Sequence, residues 1–258
     1  MFMSPFLKTA IDAALKAQGV IQRHYRQGVE VELKPDQTPV TIADLESEQA
    51  IKSVLFGAFP DHGTYGEETG QERMDSEYLW LIDPIDGTKS FVRRYPFFST
   101  QIALRHGDEL VLGVSNAPEF EEMAYAAKGE GAFLGEKPIR VSNVTTLEDA
   151  TLSLGNIKTL AGGPGWQGLS EIVQRVNRTR GYGDFYHYHL LASGRIDLVV
   201  ESDVNILDIA ALAVVVREAG GVFTDLQGQP LNLETTSVLA AATPELHAIA
   251  LEMLNRQA

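Results

Sequence analysis

One short segment in the first half of the chain constrains its fold and chemistry more than any other. The apolar residues 79–82 lead directly into Asp83-Pro84-Ile85-Asp86-Gly87-Thr88. This pattern predicts a buried strand that ends in a tight turn, followed by the start of a helix. Two carboxylates three positions apart repel each other unless a cation lies between them, and hard divalent cations prefer oxygen ligands. We therefore predict a divalent cation at the end of this strand, beside an anion site formed by the free N–H groups of Gly87 and Thr88.

The composition excludes several classes of protein. With 21 Lys and Arg against 35 Asp and Glu, the net charge is −14, which disfavours binding to nucleic acids or anionic membranes. A phosphate site in such a chain needs its own local positive charge. Cysteine is absent, which excludes disulfides and thiolate chemistry and fits a reducing cytoplasm. The N-terminus lacks the pattern of a signal peptide and no apolar run is long enough to span a membrane, so we expect a cytoplasmic protein.

The pattern of elements changes near residue 144. Before it, helices that we expect to be capped by Ser4 and Thr41 precede several strands, including a hairpin over residues 98–115. After it, helices alternate with strands, and Thr243 is predicted to cap the last helix. The predicted fold class is α/β, made of an α+β half and an α/β half, with domains at 1–144 and 145–258. Lys34 lies in a polar loop, where it could help to hold acidic groups together.

Other acids in turns or apolar stretches are candidates for the same site. Glu67 lies on a turn flanked by glycine, although alone it is more typical of a solvated surface. Asp208 opens a very apolar helix, where it is an N-cap, a buried ligand, or both. With Asp83 and Asp86, these side chains predict a carboxylate cage for more than one Mg²⁺. The alternative interpretation is a set of ordinary caps and turns without metal.

A second candidate pair joins Asp44 to Thr88. The segment Thr41-Ile42-Ala43-Asp44 begins a helix, and ordinary capping explains it. The functional interpretation is that the Thr88 hydroxyl touches a water bound to metal while Asp44 accepts its proton.

Taken together, these motifs resemble the two signature regions of the inositol monophosphatase superfamily, in the correct order. The resemblance spans nearly the whole chain and rests on Gly66-Glu67-Glu68, residues 83–88, Leu207-Asp208-Ile209-Ala210-Ala211 and Glu218-Ala219-Gly220-Gly221. It implies an alternating α-β-α-β-α layered sandwich, dependence on two or three Mg²⁺ ions, and often a homodimer. Leu207 departs from the family, which often has tryptophan there, and only local packing is affected.

The resemblance also assigns roles to individual positions. The implied metal ligands are Glu67, Asp83, the Ile85 carbonyl, Asp86 and Asp208. Thr88 and Asp44, with Glu67, are implied to activate water, and the N–H groups of Gly87 and Thr88 to hold phosphate. Glu201 and the Gly183-Asp184 pair fall where family members face the substrate alcohol.

Within the superfamily, several segments resemble the histidinol-phosphate phosphatases. They are Lys89-Ser90-Phe91-Val92-Arg93, residues 180–185, Leu191-Ala192-Ser193-Gly194 and residues 216–221. Lys89 is therefore included among the candidate substrate contacts. An independent argument agrees, because histidinol carries an ammonium and an imidazole, whereas inositol is neutral. Asp184 and Glu201 would supply carboxylates for that cation, although Asp184 could instead only cap its helix.

His187 and His189 form a His-x-His motif that also invites a metal interpretation. On a helix this spacing directs the two rings to different faces, so we do not expect them to bind metal together.

We therefore expect a Mg²⁺-dependent phosphatase of a small phosphomonoester, most consistent with histidinol phosphate, that uses direct in-line attack by water. The alternatives are hydrolysis of inositol 1-phosphate or another sugar or nucleotide phosphate, and a non-catalytic protein that binds Mg²⁺ and a phosphorylated ligand.

Overall fold

A computed structural model describes residues 3–28, 31–33 and 39–256, and Lys34 lies outside these ranges. The chain forms two compact units. The first contains Met1–Lys128 with Leu207–Val214, and the second contains Gly129–Ile206 with Val215–Ala258. The predicted domains at 1–144 and 145–258 stay a prediction, since compact units are not necessarily domains that fold on their own.

The first unit combines two long helices with most of the strands. Its elements are α1 (Pro5–Gln27), β1 (Val31–Leu33), β2 (Pro39–Thr41), α2 (Ile42–Ala58), β3 (Gly63–Gly66), β4 (Gly70–Glu72), β5 (Tyr78–Asp86), α3 (Thr88–Val92), β6 (Ser99–His106), β7 (Glu109–Ala117), a 3-10 turn at Pro118–Phe120 and β8 (Glu122–Ala127). Helix α7 (Ile206–Glu218) contributes its residues 207–214. Ser4 and Thr41 cap α1 and α2 as predicted, because each side chain accepts a backbone N–H of its helix.

The sheet of the first unit has two different faces. Its strands lie in the order β8-β7-β6-β5-β3-β4, and all neighbours are antiparallel except β3 and β5. Side chains that alternate along β5 and β7, such as Trp80, Ile82, Leu112 and Val114, pack in one core with residues of α1 and α2. Gly113 points to the opposite face, where a side chain would meet the backbone of Ala211 on α7. The two faces therefore hold α1 and α2 on one side and α7 on the other.

A β-bulge directs the acids at the end of β5. Asp83 pairs with Gln101 of β6 and Asp86 pairs with Ser99, so two residues of β5 oppose the single residue Thr100. In a regular strand, residues three positions apart point to opposite faces. Because the bulge adds one residue to β5, the side chains of Asp83 and Asp86 point to the same face. Proline is tolerated at such a position because Pro84 has no N–H to give to the ladder.

The second unit is built on a smaller mixed sheet. Its elements are β9 (Gly131–Leu134), β10 (Lys137–Ile139), β11 (Thr151–Gly155), α4 (Ile157–Gly162), α5 (Trp166–Arg175), β12 (Arg178–Arg180), α6 (Asp184–Ala192), β13 (Leu198–Ser202), the rest of α7, β14 (Val222–Thr224), β15 (Ser237–Ala241) and α8 (Pro244–Leu254). Five strands follow the order β12-β11-β13-β15-β14. The expected alternation of helices and strands is present, and Thr243 caps α8 as predicted.

The strand directions in this sheet indicate which of its edges is suited to bind a ligand. β11, β12 and β13 run parallel, whereas β15 is antiparallel to β13 and β14. The chain leaves β11 for β12 on one side and then crosses to β13 on the other side. At such a reversal, α/β sheets commonly bind ligands beyond the carboxyl ends of the strands, which here are β11 and β13. Among the described residues, no helix has the length and apolarity needed to cross a membrane.

The close approach of α7 to the sheet at Gly113 gives a first prediction. Gly113→Ala would place a methyl group within 2.8 Å of Ala211 Cα, so either the strand or the helix must move. We expect the free energy of unfolding to fall by roughly 1–3 kcal/mol. Calorimetry should then show a fall in Tm of about 2–4 °C for each kcal/mol lost.

Gly19→Ala is the matched control for that change. Gly19 is exposed on α1, and no heavy atom lies within 4 Å of a Cβ at this position. Alanine should leave Tm unchanged or raise it, because glycine disfavours a helix interior by about 1 kcal/mol. Equal Tm values for the two variants would contradict the packing described here.

Candidate active site

Three carboxylates converge on the face of the first sheet that α7 covers. Oxygen atoms of Asp83, Asp86 and Asp208 lie within 4.8 Å of one another. Asp83 is buried, and the other two are half-buried. Asp208 is not the N-cap that we considered, because α7 begins at Ile206 and Asp208 lies in its first turn. An all-oxygen set of this kind fits a hard divalent cation.

The electrostatics of Asp83 show how unfavourable this arrangement is without a cation. Burial raises the pKa of the Asp83 carboxyl well above its ordinary value, and the nearby charges of Glu67, Asp86 and Asp208 raise it further. The Asp83 Oδ1 atom accepts the Ile85 N–H at 2.9 Å, which fixes the carboxylate against its own turn. Glu67 also shares a hydrogen bond with Asp83. The structure thus brings together the four acids that the sequence predicted as a cage.

The predicted pair of Asp44 and Thr88 is present beside these acids. Asp44 closes a capping box, since its Oδ2 accepts both the backbone N–H and the hydroxyl of Thr41 at 2.7 Å. Its Oδ1 lies 3.3 Å from the Thr88 hydroxyl, which is also 3.0 Å from the Ile85 carbonyl oxygen. Burial raises the pKa of Asp44, the Thr41 hydrogen bonds oppose this, and the charge of Glu67 adds to the rise. Capping and contact with Thr88 therefore coexist in one carboxyl group.

The glycine of the signature is required by its surroundings. Gly87 has φ of +89°, and a Cβ there would lie 2.6 Å from the Phe97 carbonyl oxygen. Its own carbonyl accepts the N–H groups of Ser90 and Phe91, which begins α3. Lys89 is exposed on this short helix.

Glu48 is a buried residue of this site that the sequence analysis missed. Its Oε2 accepts the Glu68 N–H at 2.7 Å, and its Oε1 accepts the Thr69 N–H at 3.2 Å and the Thr69 hydroxyl. A Cβ at Gly66 would overlap this carboxylate. Glu48 therefore anchors the residues that follow Glu67 and packs closely against Gly66, which precedes it. The only sequence signal is an acid at the position of α2 one turn after Asp44.

Apart from Lys89, the predicted substrate contacts lie at the carboxyl edge of the second sheet. Glu201 is buried at the end of β13, and its Oε2 accepts the Tyr188 hydroxyl at 2.6 Å and lies 3.0 Å from His187 Nε2. Gly183 is the N-cap residue of α6, so Asp184 is its first residue rather than its cap. Asp184 has φ of +47°, a left-handed conformation that is uncommon for residues with a side chain.

Comparison with known proteins identifies the family. The family model described as "Inositol monophosphatase family" matches residues 3–257. The chain belongs to the inositol monophosphatase family. It is 36% identical to a histidinol-phosphatase of Streptomyces coelicolor, over 97% of this chain and 95% of that protein. It is 34% identical to an inositol-1-monophosphatase of Caulobacter vibrioides, over 95% and 98% of the two chains.

The structural comparison agrees with the sequence comparison. The extragenic suppressor protein suhB of Bartonella henselae superposes with a TM-score of 0.90 at 30% identity, over 99% of this chain and 100% of that one. The predicted fold, with two sheets flanked by helices, is confirmed as that of this family. Its members are generally Mg²⁺-dependent phosphatases, which agrees with the acidic cluster.

The raised pKa of Asp83 predicts how the metal-free protein responds to pH. Because the pKa in the folded state lies above its value of 3.8 in a free side chain, the folded protein holds this proton more tightly. This contribution to stability is complete below 3.8 and is lost as the pH rises through the folded pKa. In the presence of chelator at neutral pH, Asp83→Asn should therefore raise Tm, by about 2–4 °C for each kcal/mol relieved.

The same variant should lose both the stabilisation by Mg²⁺ and the phosphatase activity, by orders of magnitude. Phosphate release near the wild-type rate would contradict a role for Asp83 as ligand. A Tm below that of the wild type in chelator would contradict the repulsion between Asp83 and its neighbouring acids.

The anchoring of the Glu67 turn predicts that Glu48→Gln weakens activation by Mg²⁺. An amide nitrogen in place of one oxygen would face an N–H donor, so the turn should shift. We expect the Mg²⁺ concentration for half-maximal activity to rise roughly 10–100-fold. Tm in chelator should fall by a few degrees.

Glu46→Gln is the control for Glu48. Glu46 lies on the same helix but is 40% exposed and pairs with Arg23 and His24. Exposed pairs of this kind are screened by water and contribute little to stability. Similar Mg²⁺ requirements in the two variants would show that Glu48 does not position the turn.

Proposed function

We propose that this protein is a Mg²⁺-dependent phosphomonoesterase whose substrate is histidinol phosphate. The observation that carries the activity is the convergence of Asp83, Asp86 and Asp208 beside the Asp44–Thr88 pair. Phosphate transfer to water requires neutralisation of the phosphoryl charge and a base for the attacking water. Both sets of groups lie on the first unit.

The acidic side chains would hold the metal. We propose that Glu67, Asp83, the Ile85 carbonyl, Asp86 and Asp208 are the ligands of two or three ions. Bound Mg²⁺ would supply Lewis acidity, which lowers the pKa of water and neutralises charge on the phosphoryl group and the departing oxygen. Because these carboxylates would hold the cations, a chain with a net charge of −14 could still accept a phosphate.

The proton of the attacking water would move through Thr88 to Asp44. Thr88 has one hydroxyl proton, which lies between Asp44 Oδ1 and the Ile85 carbonyl. When the Ile85 carbonyl serves as a metal ligand, the Thr88 hydroxyl gives its proton to Asp44. The Thr88 oxygen can then accept a proton from water. The raised pKa of Asp44 favours this transfer. The N–H groups of Gly87 and Thr88, at the start of α3, would hold the phosphate.

The choice of alcohol depends on charge. Histidinol carries an ammonium and an imidazole, and we propose that Asp184 and Glu201 are their carboxylate partners, with Gly183 shaping the approach and Lys89 a further substrate contact. A charge-assisted hydrogen bond is about twice as strong as a neutral one. A neutral polyol gains no ionic attraction from these charges. The similarity to a histidinol-phosphatase at 36% identity supports the same substrate.

Inositol 1-phosphate is the second candidate substrate. An inositol-1-monophosphatase matches this chain at nearly the same identity, 34%. The same catalytic groups would serve either ester. A homodimer and a cytoplasmic location, which the resemblance and composition favour, stay predictions.

Phosphate release across a small panel tests the proposal. We expect kcat/KM for histidinol phosphate to exceed that for inositol 1-phosphate by at least tenfold with Mg²⁺, and all activity to disappear with chelator. Preference for inositol 1-phosphate would overturn the substrate but keep the mechanism. Tight ligand binding without turnover in Mg²⁺ would support a non-catalytic binding protein instead.

A further inference from the structure

The sheet of the second unit buries polar groups on one of its faces. Along β11 and β13, alternate residues pack into the apolar core of the unit, namely Leu152, Leu154, Leu198 and Val200. The intervening positions point to the other face. There Ser153, Gly155 and Glu201 lie on the side that is contacted by α6. Buried polar groups must find partners, so this face demands a defined network.

His187 lies at the centre of that network. It is fully buried on α6, with its Nε2 3.0 Å from Glu201 Oε2 and its Nδ1 3.3 Å from the Ser153 hydroxyl. The Ser153 oxygen in turn accepts the Tyr182 N–H at 3.2 Å. The chain of contacts therefore runs from the segment before α6, through β11 and α6, to the end of β13.

One assignment of donors satisfies every contact in this network. Ser153 accepts the Tyr182 N–H, and its hydroxyl proton can be donated to His187 Nδ1. In this assignment His187 Nε2 carries a proton and donates it to Glu201. Tyr188 donates to the same oxygen, Oε2, at 2.6 Å. Both ring nitrogens of His187 and the Oε2 atom of Glu201 thus have partners.

The other oxygen of Glu201 is turned toward a glycine. Gly155 lies beside Glu201 in the parallel register, and a Cβ there would overlap the carboxylate at Oε1. Within the described part of the chain, no hydrogen bond is donated to Oε1. Asn156, directly after Gly155, donates its amide to the Ser202 carbonyl at 2.8 Å and so ties the ends of β11 and β13 together. Oε1 thus lies at the carboxyl ends of β11 and β13, where a sheet of this topology commonly binds ligands.

We propose that His187, supported by Ser153 and assisted by Tyr188, is a positioning residue that selects a cationic alcohol. It holds Glu201 by Oε2 so that Oε1 faces the ammonium or imidazolium group of the substrate. The inference rests on the proposed function, since a cationic leaving group adds an ionic attraction to the hydrogen bond that a fixed carboxylate accepts. A neutral alcohol does not need this orientation to the same degree.

The test compares two phosphate esters in the full-length protein with Mg²⁺. The measured quantity is kcat/KM for histidinol phosphate divided by kcat/KM for glycerol 2-phosphate, whose alcohol is neutral. His187→Leu should lower this ratio roughly 10–100-fold, as expected for the loss of a hydrogen bond to a charged group. The change should appear mainly in KM, and the Ki of L-histidinol against glycerol 2-phosphate hydrolysis should rise by a similar factor.

Two further variants separate positioning from packing. His187→Gln keeps an amide donor near the position of Nε2 and should recover most of the ratio. Ser153→Ala removes the partner of Nδ1 and should lower the ratio in the same direction as His187→Leu, by a smaller factor.

His247→Leu is the matched control. His247, on α8, is also a buried histidine of the second unit. Its Nε2 atom lies 2.8 Å from the Thr224 hydroxyl. Its variant should lose stability without a change in the substrate ratio.

The outcomes distinguish the two proposals. If the wild type prefers histidinol phosphate but His187→Leu keeps the same ratio as His247→Leu, the role of His187 is overturned and the proposed function stands. If the wild type shows no preference for histidinol phosphate, the substrate assignment fails, and the inference about His187 fails with it. Recovery of the ratio in His187→Gln together with its loss in His187→Leu supports positioning.

Discussion

The repulsion between carboxylates around Asp83 is the constraint on which the rest of the first unit depends. Burial and three neighbouring acids all raise the pKa of Asp83, so the folded chain holds this group in an unfavourable state. In the absence of metal, the surrounding structure must therefore hold these carboxylates together against their repulsion. The bulge at Pro84 and Ile85 directs the acids of β5, and the close contact at Gly113 fixes α7, which carries Asp208. Rigid backbone contacts of this kind resist a repulsion that side chains alone would relieve by rotation.

Much of this arrangement follows from local rules, and so it could be predicted from the sequence. The apolar run before Asp83 indicated the strand, and Gly87 indicated a backbone turn that only glycine adopts easily. The capping box of Thr41 and Asp44 has a fixed spacing along the helix. Each of these signals depends on residues within a few positions of one another. The family resemblance then supplied the partners that lie far apart in the chain.

Contacts between distant segments could not be predicted in the same way. Glu48 binds a turn 20 residues later, and His187 reaches Glu201 across a helix and a strand. The pattern around His187 suggested only a possible metal motif with His189. The two rings instead have different neighbours, since His189 packs against the Phe185 ring at 5.0 Å. Spacing along a helix shows which faces two residues occupy, but it does not identify what the opposing element presents.

The two groups of buried carboxylates differ in a way that separates their chemistry. Asp83 is surrounded by other acids, so a singly charged cation would leave much of the negative charge uncompensated, which favours a divalent ion. Glu201 is instead held by a histidine and a tyrosine that both contact one of its oxygens. A divalent ion there would lack enough oxygen ligands, whereas an ammonium or imidazolium needs only one carboxylate and a defined direction. In the proposed function, the number of acids around each buried carboxylate would thus distinguish a metal site from a site for an organic cation.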